Sequence, residues 1–378
     1  MGNIIYFDNS ATTQPCKTAV RCINDALESN WGNPSSLHTM GINAEKILCE
    51  SRQVCADFIG AREDEIYFTS GGTEANNLAV IGTALARKKR GNRIITTAVE
   101  HPSVLKAVEF LEENGFEVIK IKPDGNGTVS AESVKEYLNE KTVLVSIMLV
   151  NNELGSIQPV SQVSKIIKQL SLPAVLHCDA VQAFGKMPIN TASLGADIIT
   201  VSGHKIHGPK GVGFIYIKKG LNIRPVIYGG GQERSMRSGT ENIPMIAGLK
   251  GAVEELGNIS AASANRQEFY KYAREKILST GLAEINSPED ALPFILNISV
   301  SGYRSETLLH YLDANGIYVS SGSACAKGHK SYVMEAAGFS PKRIDSALRL
   351  SFCRENTKEE IDKFCQVLKS ACNSLRKA

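Results

Sequence analysis

The sequence predicts an α/β protein, in which a mainly parallel sheet lies between helices and a smaller α+β unit follows. Three observations predict this fold. Apolar strand patterns alternate with helical patterns through the first two-thirds of the chain. Polar or glycine-rich residues follow several of these strands, and the alternation stops after about residue 253. Alternation of this kind is typical of a parallel sheet, whose ligands bind beyond the carboxyl ends of the strands.

The predicted elements follow this order along the chain. Strand patterns lie at Ile66–Thr69, Arg93–Thr97, Phe116–Ile121, Thr142–Met148, Ala174–Leu176 and Ile198–Val201. Helical stripes separate most of these strands, for example Val104, Val108 and Leu111 on one face. Beyond them the sequence predicts a helix over Arg266–Leu278, strands at Phe294–Val300 and Gly316–Val319, and a final helix over Lys358–Leu375. We therefore expect a large domain at residues 15–255 and a small domain made of residues 1–14 and 256–378.

Composition and charge exclude several classes of protein. Apolar residues make up 43% of the chain and charged residues 21%, as in ordinary globular proteins. The net charge is only +3, spread over 42 basic and 39 acidic residues, which argues against a nucleic-acid partner. The N-terminus lacks a secretory pattern, and no apolar run approaches the ~18 residues of a membrane span. We expect a cytoplasmic protein with no membrane partner.

The nine cysteines show no metal-binding or redox spacing. No pair is separated by two residues, so neither a zinc ribbon nor a thioredoxin motif is indicated, and no metal site is expected. In a reducing compartment most of these thiols are expected to be free and to behave as small buried hydrophobes.

A lysine and an aspartate each follow an apolar strand. Lys205 lies in Ser202-Gly203-His204-Lys205, directly after one strand, and Asp179 ends the preceding strand. A lysine in such a junction can form a Schiff base with a carbonyl cofactor, and it can equally be an exposed turn lysine. An aspartate can keep the ring nitrogen of pyridoxal phosphate (PLP) protonated. The two residues together favour a PLP site more than either does alone.

Two further junctions offer groups for such a site. Gly71-Gly72-Thr73 joins a strand to a helix, where free N–H groups and the helix dipole favour an anion, although a plain turn capped by Thr73 has the same pattern. His101 follows another strand and precedes a proline. An imidazole there can stack on a planar cofactor, move protons, or simply begin the next helix.

Several motifs occur in order along nearly the whole chain. They include Gly71-Gly72-Thr73-Glu74-Ala75-Asn76, Asn151-Asn152-Glu153, Asp179-Ala180-Val181-Gln182, Ser202-Gly203-His204-Lys205, Arg237-Ser238-Gly239-Thr240 and Ser321-Gly322-Ser323-Ala324-Cys325. In these motifs the chain resembles the cysteine desulfurases of the NifS/IscS type, a class V branch of the fold-type-I PLP enzymes. The resemblance implies a PLP-binding large domain with a seven-stranded sheet, and a small domain that carries the loop of Cys325.

The resemblance also implies a role for each matching residue. Lys205 matches the lysine that binds PLP covalently, Asp179 the partner of the pyridine nitrogen, Gln182 the donor to the phenolic oxygen, and His101 the histidine stacked on the ring. The phosphate ligands match Gly72, Thr73, Ser202 and His204, while Thr240 matches a threonine that reaches the phosphate of the other subunit. A homodimer with shared sites is therefore implied. Asn152 and Arg349 match the pair that binds the substrate carboxylate, a role that suits the arginine fork.

Cys325 decides the function that the resemblance implies. It lies in a Ser/Gly-rich loop with lysines after it, and nearby cations favour the thiolate. A desulfurase would convert L-cysteine to alanine, keep the sulfur as a persulfide on Cys325, and pass it to an acceptor scaffold protein. The alternatives are a selenocysteine lyase or cysteine sulfinate desulfinase, a class V aminotransferase that would not need Cys325, and a scaffold without turnover.

Overall fold

The computed structural model describes residues 4–321 and 330–377, and within that range it leaves aside the side chains of residues 260–263. Its strands are β1 (Ile5–Tyr6), β2 (Ile66–Thr69), β3 (Arg93–Thr97), β4 (Glu117–Ile121), β5 (Thr142–Met148), β6 (Val175–Asp179), β7 (Ile198–Ser202), β8 (Gly213–Ile217), β9 (Glu284–Ile285), β10 (Ile295–Ser299), β11 (Ile317–Tyr318) and β12 (Ala347–Ser351).

The α-helices of the described residues surround these strands and fall between them in the chain. They are α1 (Lys17–Ser29), α2 (Thr39–Ile59), α3 (Gly72–Arg87), α4 (Pro102–Glu113), α5 (Ala131–Lys135), α6 (Val160–Gln169), α7 (Thr191–Leu194), α8 (Ile243–Leu256), α9 (Ile259–Leu278), α10 (Ser305–Ala314), α11 (Tyr332–Ala336), α12 (Pro341–Asp345) and α13 (Lys358–Ser374).

A seven-stranded sheet forms the centre of the larger part of the molecule. Its strands lie in the order β2-β8-β7-β6-β5-β3-β4. Strand β8 is antiparallel to both of its neighbours, β2 and β7, whereas the other pairs are parallel. The prediction of a mainly parallel sheet between helices is confirmed. Because β2 and β7 both oppose β8, they point the same way, so their carboxyl ends lie at one edge with those of β5 and β6.

Helices cover both faces of this sheet. Helices α3 and α4 pack on one face, where Leu78, Val80, Val108 and Leu111 meet Ile94 of the sheet. The stripe predicted on α4 is buried, since its apolar residues recur every three or four positions and so share one side of the helix. Helices α1, α2, α6 and α8 contribute to the core on the other face. The sheet is thereby shielded from water on both sides, as its continuous apolar strands require.

A second, smaller core lies in the C-terminal part and includes the N-terminal strand. Strands β12, β10 and β9 form an antiparallel sheet, and β1 pairs in parallel with β11. Phe7 packs edge-on against Phe352 and Phe364, with ring centroids 5.3 and 6.3 Å apart. The residue just after β1 is thereby anchored in this smaller core.

Several elements differ from the sequence-based expectations, mostly by a residue or two at their ends. Helix α9 begins at Ile259 rather than Arg266. Strand β6 starts at Val175, one residue after the predicted start, and ends at Asp179, as predicted. The predicted strands do not include β8, the antiparallel strand, which follows a glycine- and lysine-rich turn. In the described part of the chain, no helix combines the length and apolar character needed to cross a bilayer.

Candidate active site

The carboxyl edge of the large sheet opens on one cavity of about 240 Å³. Strand β6 ends there at Asp179, and β7 ends at Ser202 and continues as a single 3-10 turn, Gly203–Lys205. Parallel strands bring their carboxyl ends to the same edge, which is where open α/β sheets bind ligands. The predicted site residues that line this cavity are Gly72, Thr73, His101, Asn152, Asp179, Gln182, Ser202, His204, Lys205 and Arg349.

Two predicted site residues are not part of this arrangement. Thr240 is exposed and lines a different cavity, beside Arg237 and Glu241. Cys325 lies outside the described residues, so its position relative to the cavity stays a prediction.

The Asp179 carboxylate is fixed at the cavity wall by two donors. Its Oδ1 accepts a hydrogen bond from the Val181 backbone N–H at 2.9 Å, and its Oδ2 accepts one from Asn76 Nδ2 at 2.7 Å. Both donors are neutral, and the carboxylate is 4% exposed. The side chain is therefore held in one orientation without a cationic partner at these two contacts.

The Asn76 amide also begins a polar ladder inside the sheet. The Thr200 hydroxyl donates to Asn76 Oδ1 at 2.5 Å, so its oxygen is left to accept from His177 Nε2 at 3.1 Å. His177 Nδ1 then accepts from the Ser146 hydroxyl at 2.8 Å. Burial lowers the pKa of His177 to about 3, so the ring is neutral, as this pattern of donors requires. These hydrogen bonds tie Asn76, and through it the Asp179 carboxylate, to side chains of strands β7, β6 and β5.

Lys205 is directed into the cavity by the turn that carries it. The Gly203 N–H bonds to the carbonyl of Val212 at 3.0 Å, which closes the turn against the start of β8. The Lys205 Nζ donates to the backbone carbonyls of Ala11, at 2.8 Å, and of Ser10. The amine is thus held between the end of β7 and the N-terminal segment.

The glycine turn after β2 forms a cup for an anion. Gly71 has φ +146°, a conformation that favours glycine, and a Cβ on Gly72 would come within 2.9 Å of Val181 Cγ2. The first N–H groups of α3 and the Thr73 side chain therefore lie open to the cavity, opposite Ser202. Glu74, the one acidic residue in the first turn of α3, is paired with Arg237 at 2.9 Å. These features suit a phosphate group.

Two histidines at the cavity are neutral at pH 7. His101 begins α4, where its Nδ1 accepts from the Ser103 N–H at 3.2 Å. Burial lowers the pKa of His101. The negative charge of Asp179 raises this pKa and the positive charge of Lys205 lowers it, and the net shift is downward. Burial, together with Lys205 and Lys210, lowers the pKa of His204 to about 4. Each neutral ring can accept a proton or donate one N–H to a ligand.

Arg349 reaches the cavity from β12 with part of its guanidinium unused. Its Nη1 donates to the Asn152 carbonyl at 2.9 Å and its Nη2 to Asp8 Oδ1 at 2.8 Å. Arg349 Nε, Asn152 Oδ1 and Ser10 Oγ are buried without a hydrogen-bond partner among the described residues. All three residues line the cavity, where a polar ligand could satisfy these atoms.

Both ends of the segment that contains Cys325 are attached to this part of the cavity. Before the segment, Ser320 and Arg349 exchange two backbone hydrogen bonds, at 3.2 and 2.7 Å. After it, the Ser331 hydroxyl donates to the buried carboxylate of Glu153, next to Asn152, and the Tyr332 hydroxyl donates to the Glu100 carbonyl at 2.7 Å. The chain therefore leaves and re-enters the described structure beside the cavity.

Sequence reasoning gave no role to several residues that shape the site. Asp8 pairs with Arg349, Asn76 holds Asp179, and Lys186 donates to Gln182 Oε1 at 3.0 Å. Asn76 gave one signal: it is a buried polar residue among the apolar positions of α3. The contacts of Asp8 join residues 341 positions apart, and no sequence spacing indicates them.

The lysine and aspartate at the carboxyl edge of the sheet, with an anion cup beside them, define a PLP-dependent enzyme of fold type I. The aminotransferase class-V profile matches residues 5–364. The cysteine desulfurase IscS of Methanosarcina thermophila is 40% identical over 377 residues, which cover 98% of this chain and 93% of that protein. The chain belongs to the class V aminotransferase family and, within it, to the NifS/IscS-type cysteine desulfurases.

Solved structures agree with this assignment. A NifS-like protein superimposes with a TM-score of 0.93 and 38% identity, covering 99% of this chain and 100% of its own. The structure of SspA in complex with cysteine superimposes with a TM-score of 0.83 and 33% identity, covering 93% and 100%. Fold, cofactor class and family are therefore the same as the sequence predicts.

Proposed function

We propose that this chain is a PLP-dependent cysteine desulfurase, which converts L-cysteine to L-alanine and transfers the sulfur to Cys325. One observation carries the proposal. One cavity is lined by Lys205 and Asp179 and also by Asn152 and Arg349. The Arg349 backbone is hydrogen-bonded to that of Ser320, which lies just before the segment that contains Cys325. Cofactor, substrate and sulfur acceptor would then share one site.

The residues at the cavity fit PLP. Lys205 would bind its aldehyde, Asp179 its ring nitrogen, Gln182 its phenolic oxygen and His101 its ring face. The cup of Gly72, Thr73, Ser202 and His204 would bind the phosphate, and Thr240 would complete that site in the other subunit. When bound, PLP supplies an electron sink for the charge that forms at the substrate Cα.

Side chains of the cavity would bind the substrate and move its protons. Arg349 would bind the substrate carboxylate through its Nε, which lacks a partner among the described residues, and the Asn152 side-chain N–H groups would donate beside it. Lys205, once released, would move the Cα proton. The neutral His101 would accept the proton of the substrate thiol, since burial keeps its pKa low.

The sulfur step balances on these groups. The Cys325 thiolate would attack the substrate sulfur and form the S–S bond as the Cβ–S bond breaks. The electron pair of the broken bond stays with Cβ, which would take the proton that His101 accepted from the substrate thiol and become the methyl group of alanine. Cys325 is left as a persulfide, and the sulfur then passes to an acceptor scaffold protein for iron–sulfur cluster or thio-cofactor assembly.

We also propose a cytoplasmic homodimer. Thr240 is exposed and does not line the cavity of its own chain, as expected of a residue that serves the partner's site. Large apolar side chains are exposed as well: Leu37 is 96% exposed, and Trp31 and Tyr228 are each 67% exposed. Such side chains are candidates for burial between subunits.

The release of alanine and sulfide from L-cysteine, with and without dithiothreitol, tests the activity. The wild type is expected to release both with the thiol present, and Lys205→Ala to release neither. An aminotransferase would instead leave the cofactor in its amine form without alanine from cysteine, and a scaffold would give no product. Selenocysteine and cysteine sulfinate, tested in parallel, would show whether L-cysteine is the preferred substrate.

A further inference from the structure

A buried lysine lies beside the cofactor cavity without an acidic partner. Lys186 is 9% exposed, and its Nζ donates to Gln182 Oε1 at 3.0 Å. No carboxylate of the described residues lies within 4.0 Å of it, whereas Lys205 and Arg349 repel it. Burial, with this repulsion, lowers the pKa of Lys186 to about 7. A methionine of similar length would fill the same space without the free-energy cost of removing an amine from water.

The contact fixes which way the Gln182 amide faces. The Ser10 carbonyl can only accept, so the amide atom beside it is the nitrogen, and the atom 3.0 Å from Lys186 Nζ is the oxygen, which accepts from the amine in either charge state. The other end, Nε2, donates one hydrogen to the Ser10 carbonyl at 3.0 Å. A flipped amide would set donor against donor at Lys186 and acceptor against acceptor at Ser10. Nε2 keeps a second N–H, and Gln182 lines the cavity.

The local chain brings these two side chains together. Residues 181–186 form successive turns, in which the Phe184 N–H bonds to Ala180 O at 2.8 Å and the Met187 N–H to Ala183 O at 3.1 Å. In turns of this kind, side chains four positions apart lie on the same side. Gln182 and Lys186 are four positions apart, so the turn after β6 sets their contact.

We propose that Lys186 is a positioning residue, whose amine holds the Gln182 amide so that one N–H faces the cofactor. The inference rests on the PLP assignment made under Proposed function, because the phenolic oxygen of PLP is the acceptor that this N–H would meet. A donor at that oxygen withdraws negative charge from beside the Lys205 linkage. The linking nitrogen then loses its proton more easily, which lowers the pH midpoint of the cofactor's visible absorbance.

The test is a pH titration of the visible absorbance of the holoenzyme. We expect Lys186→Met to raise the midpoint by about one pH unit, a tenfold change in proton affinity. Lys186→Arg keeps a donor and is expected to restore most of the wild-type midpoint, since a neighbouring cavity of about 230 Å³ leaves room for the guanidinium. Lys369→Met, the same change at an exposed lysine, is expected to leave the midpoint unchanged.

A double-mutant cycle separates positioning from a simple effect of charge. Gln182→Ala is expected to raise the midpoint, and Lys186→Met added to it is expected to shift the midpoint no further. If Lys186→Met shifts the midpoint equally in both backgrounds, the lysine acts by charge alone and the proposal is overturned. An unchanged midpoint in the single variant overturns it as well. Should Lys186→Met fail to fold, as judged by circular dichroism, Lys186→Ala takes its place in the cycle.

Borohydride reduction and mass spectrometry, applied to every variant, separate this inference from the proposed function. An adduct on Lys205 in the wild type together with an unchanged midpoint in Lys186→Met would refute only the role of Lys186. A wild type without any Lys205 adduct would refute the cofactor assignment itself, and the role of Lys186 would fall with it.

Discussion

The contact between Asn76 and Asp179 allows a sharp test of the site. Asn76→Asp changes one donor atom to an oxygen and leaves the shape of the side chain nearly the same. The new carboxylate oxygen would lie 2.7 Å from Asp179 Oδ2, at a position that is 1% exposed. The Thr200 hydroxyl could still donate to the new side chain, and the Ser103 hydroxyl, which accepts from Asn76 Nδ2 at 2.8 Å in the wild type, could turn and donate to it. The main change is therefore the replacement of a hydrogen bond by repulsion between two buried carboxylates.

The magnitude follows from how such pairs titrate. Two carboxylates that share a buried site cannot both ionise easily, so one pKa of the pair rises, here by about three units. At 1.36 kcal/mol per unit, the variant is expected to be about 4 kcal/mol less stable than the wild type at pH 8. Because the folded variant binds a proton that the unfolded chain has lost, its stability falls as pH rises from about 4 to 7. At pH 5 the loss is expected to be about 1–2 kcal/mol.

Urea unfolding of the cofactor-free protein at pH 5 and pH 8 measures this difference. Asn43→Asp, the same substitution at an exposed position near the start of α2, is the matched control, and its stability is expected to change by under about 0.5 kcal/mol at either pH. A loss of equal size at both pH values would show that the two carboxylates do not interact, and an unchanged stability at pH 8 would refute the contact itself.

Three further predictions concern other contacts. Arg349→Lys removes the fork, so the KM for L-cysteine is expected to rise at least tenfold in steady-state assays while the cofactor's absorbance stays the same; an unchanged KM would exclude Arg349 from carboxylate binding. Glu233→Gln breaks the buried pair with Arg52, whose N···O distance is 2.8 Å, and is expected to lower the free energy of unfolding by about 3 kcal/mol; a loss under 1 kcal/mol in urea would contradict this. Thr240→Val is expected to weaken PLP binding several-fold in a dimer, measured by equilibrium dialysis, whereas a fully active PLP-bound monomer in light scattering would refute the shared site.

The sequence predicted the strands of the large sheet well because each is a short apolar run bounded by turn residues. Strand β5, for example, has the bounds Thr142–Met148 that the sequence indicates, and all its residues are buried. Strand β8 was not among the predicted strands. Its five residues are all buried, and its antiparallel direction depends on pairing with β2 and β7 rather than on any local pattern.

The site was predictable where a residue follows a strand directly. Asp179 and Lys205 line the cavity because the sheet brings strand ends together, which the alternation of strands and helices already implies. The contacts of Asp8 and Lys186 were not predictable in this way. The contact of Asp8 with Arg349 joins the two ends of the chain, and the contact of Lys186 with Gln182 depends on a turn whose side chains meet only once it is folded.

The central claim is that sulfur leaves L-cysteine for Cys325, and one measurement tests it most directly. The wild-type holoenzyme and Cys325→Ser are exposed briefly to L-cysteine, alkylated, and mapped by mass spectrometry, while alanine is quantified in the same samples. We predict one additional sulfur on Cys325 in the wild type, and in Cys325→Ser normal cofactor absorbance but no sulfur transfer, because a hydroxyl is a far weaker nucleophile than a thiolate. Alanine release by Cys325→Ser at the wild-type rate, or the additional sulfur on another cysteine such as Cys353, would contradict the mechanism.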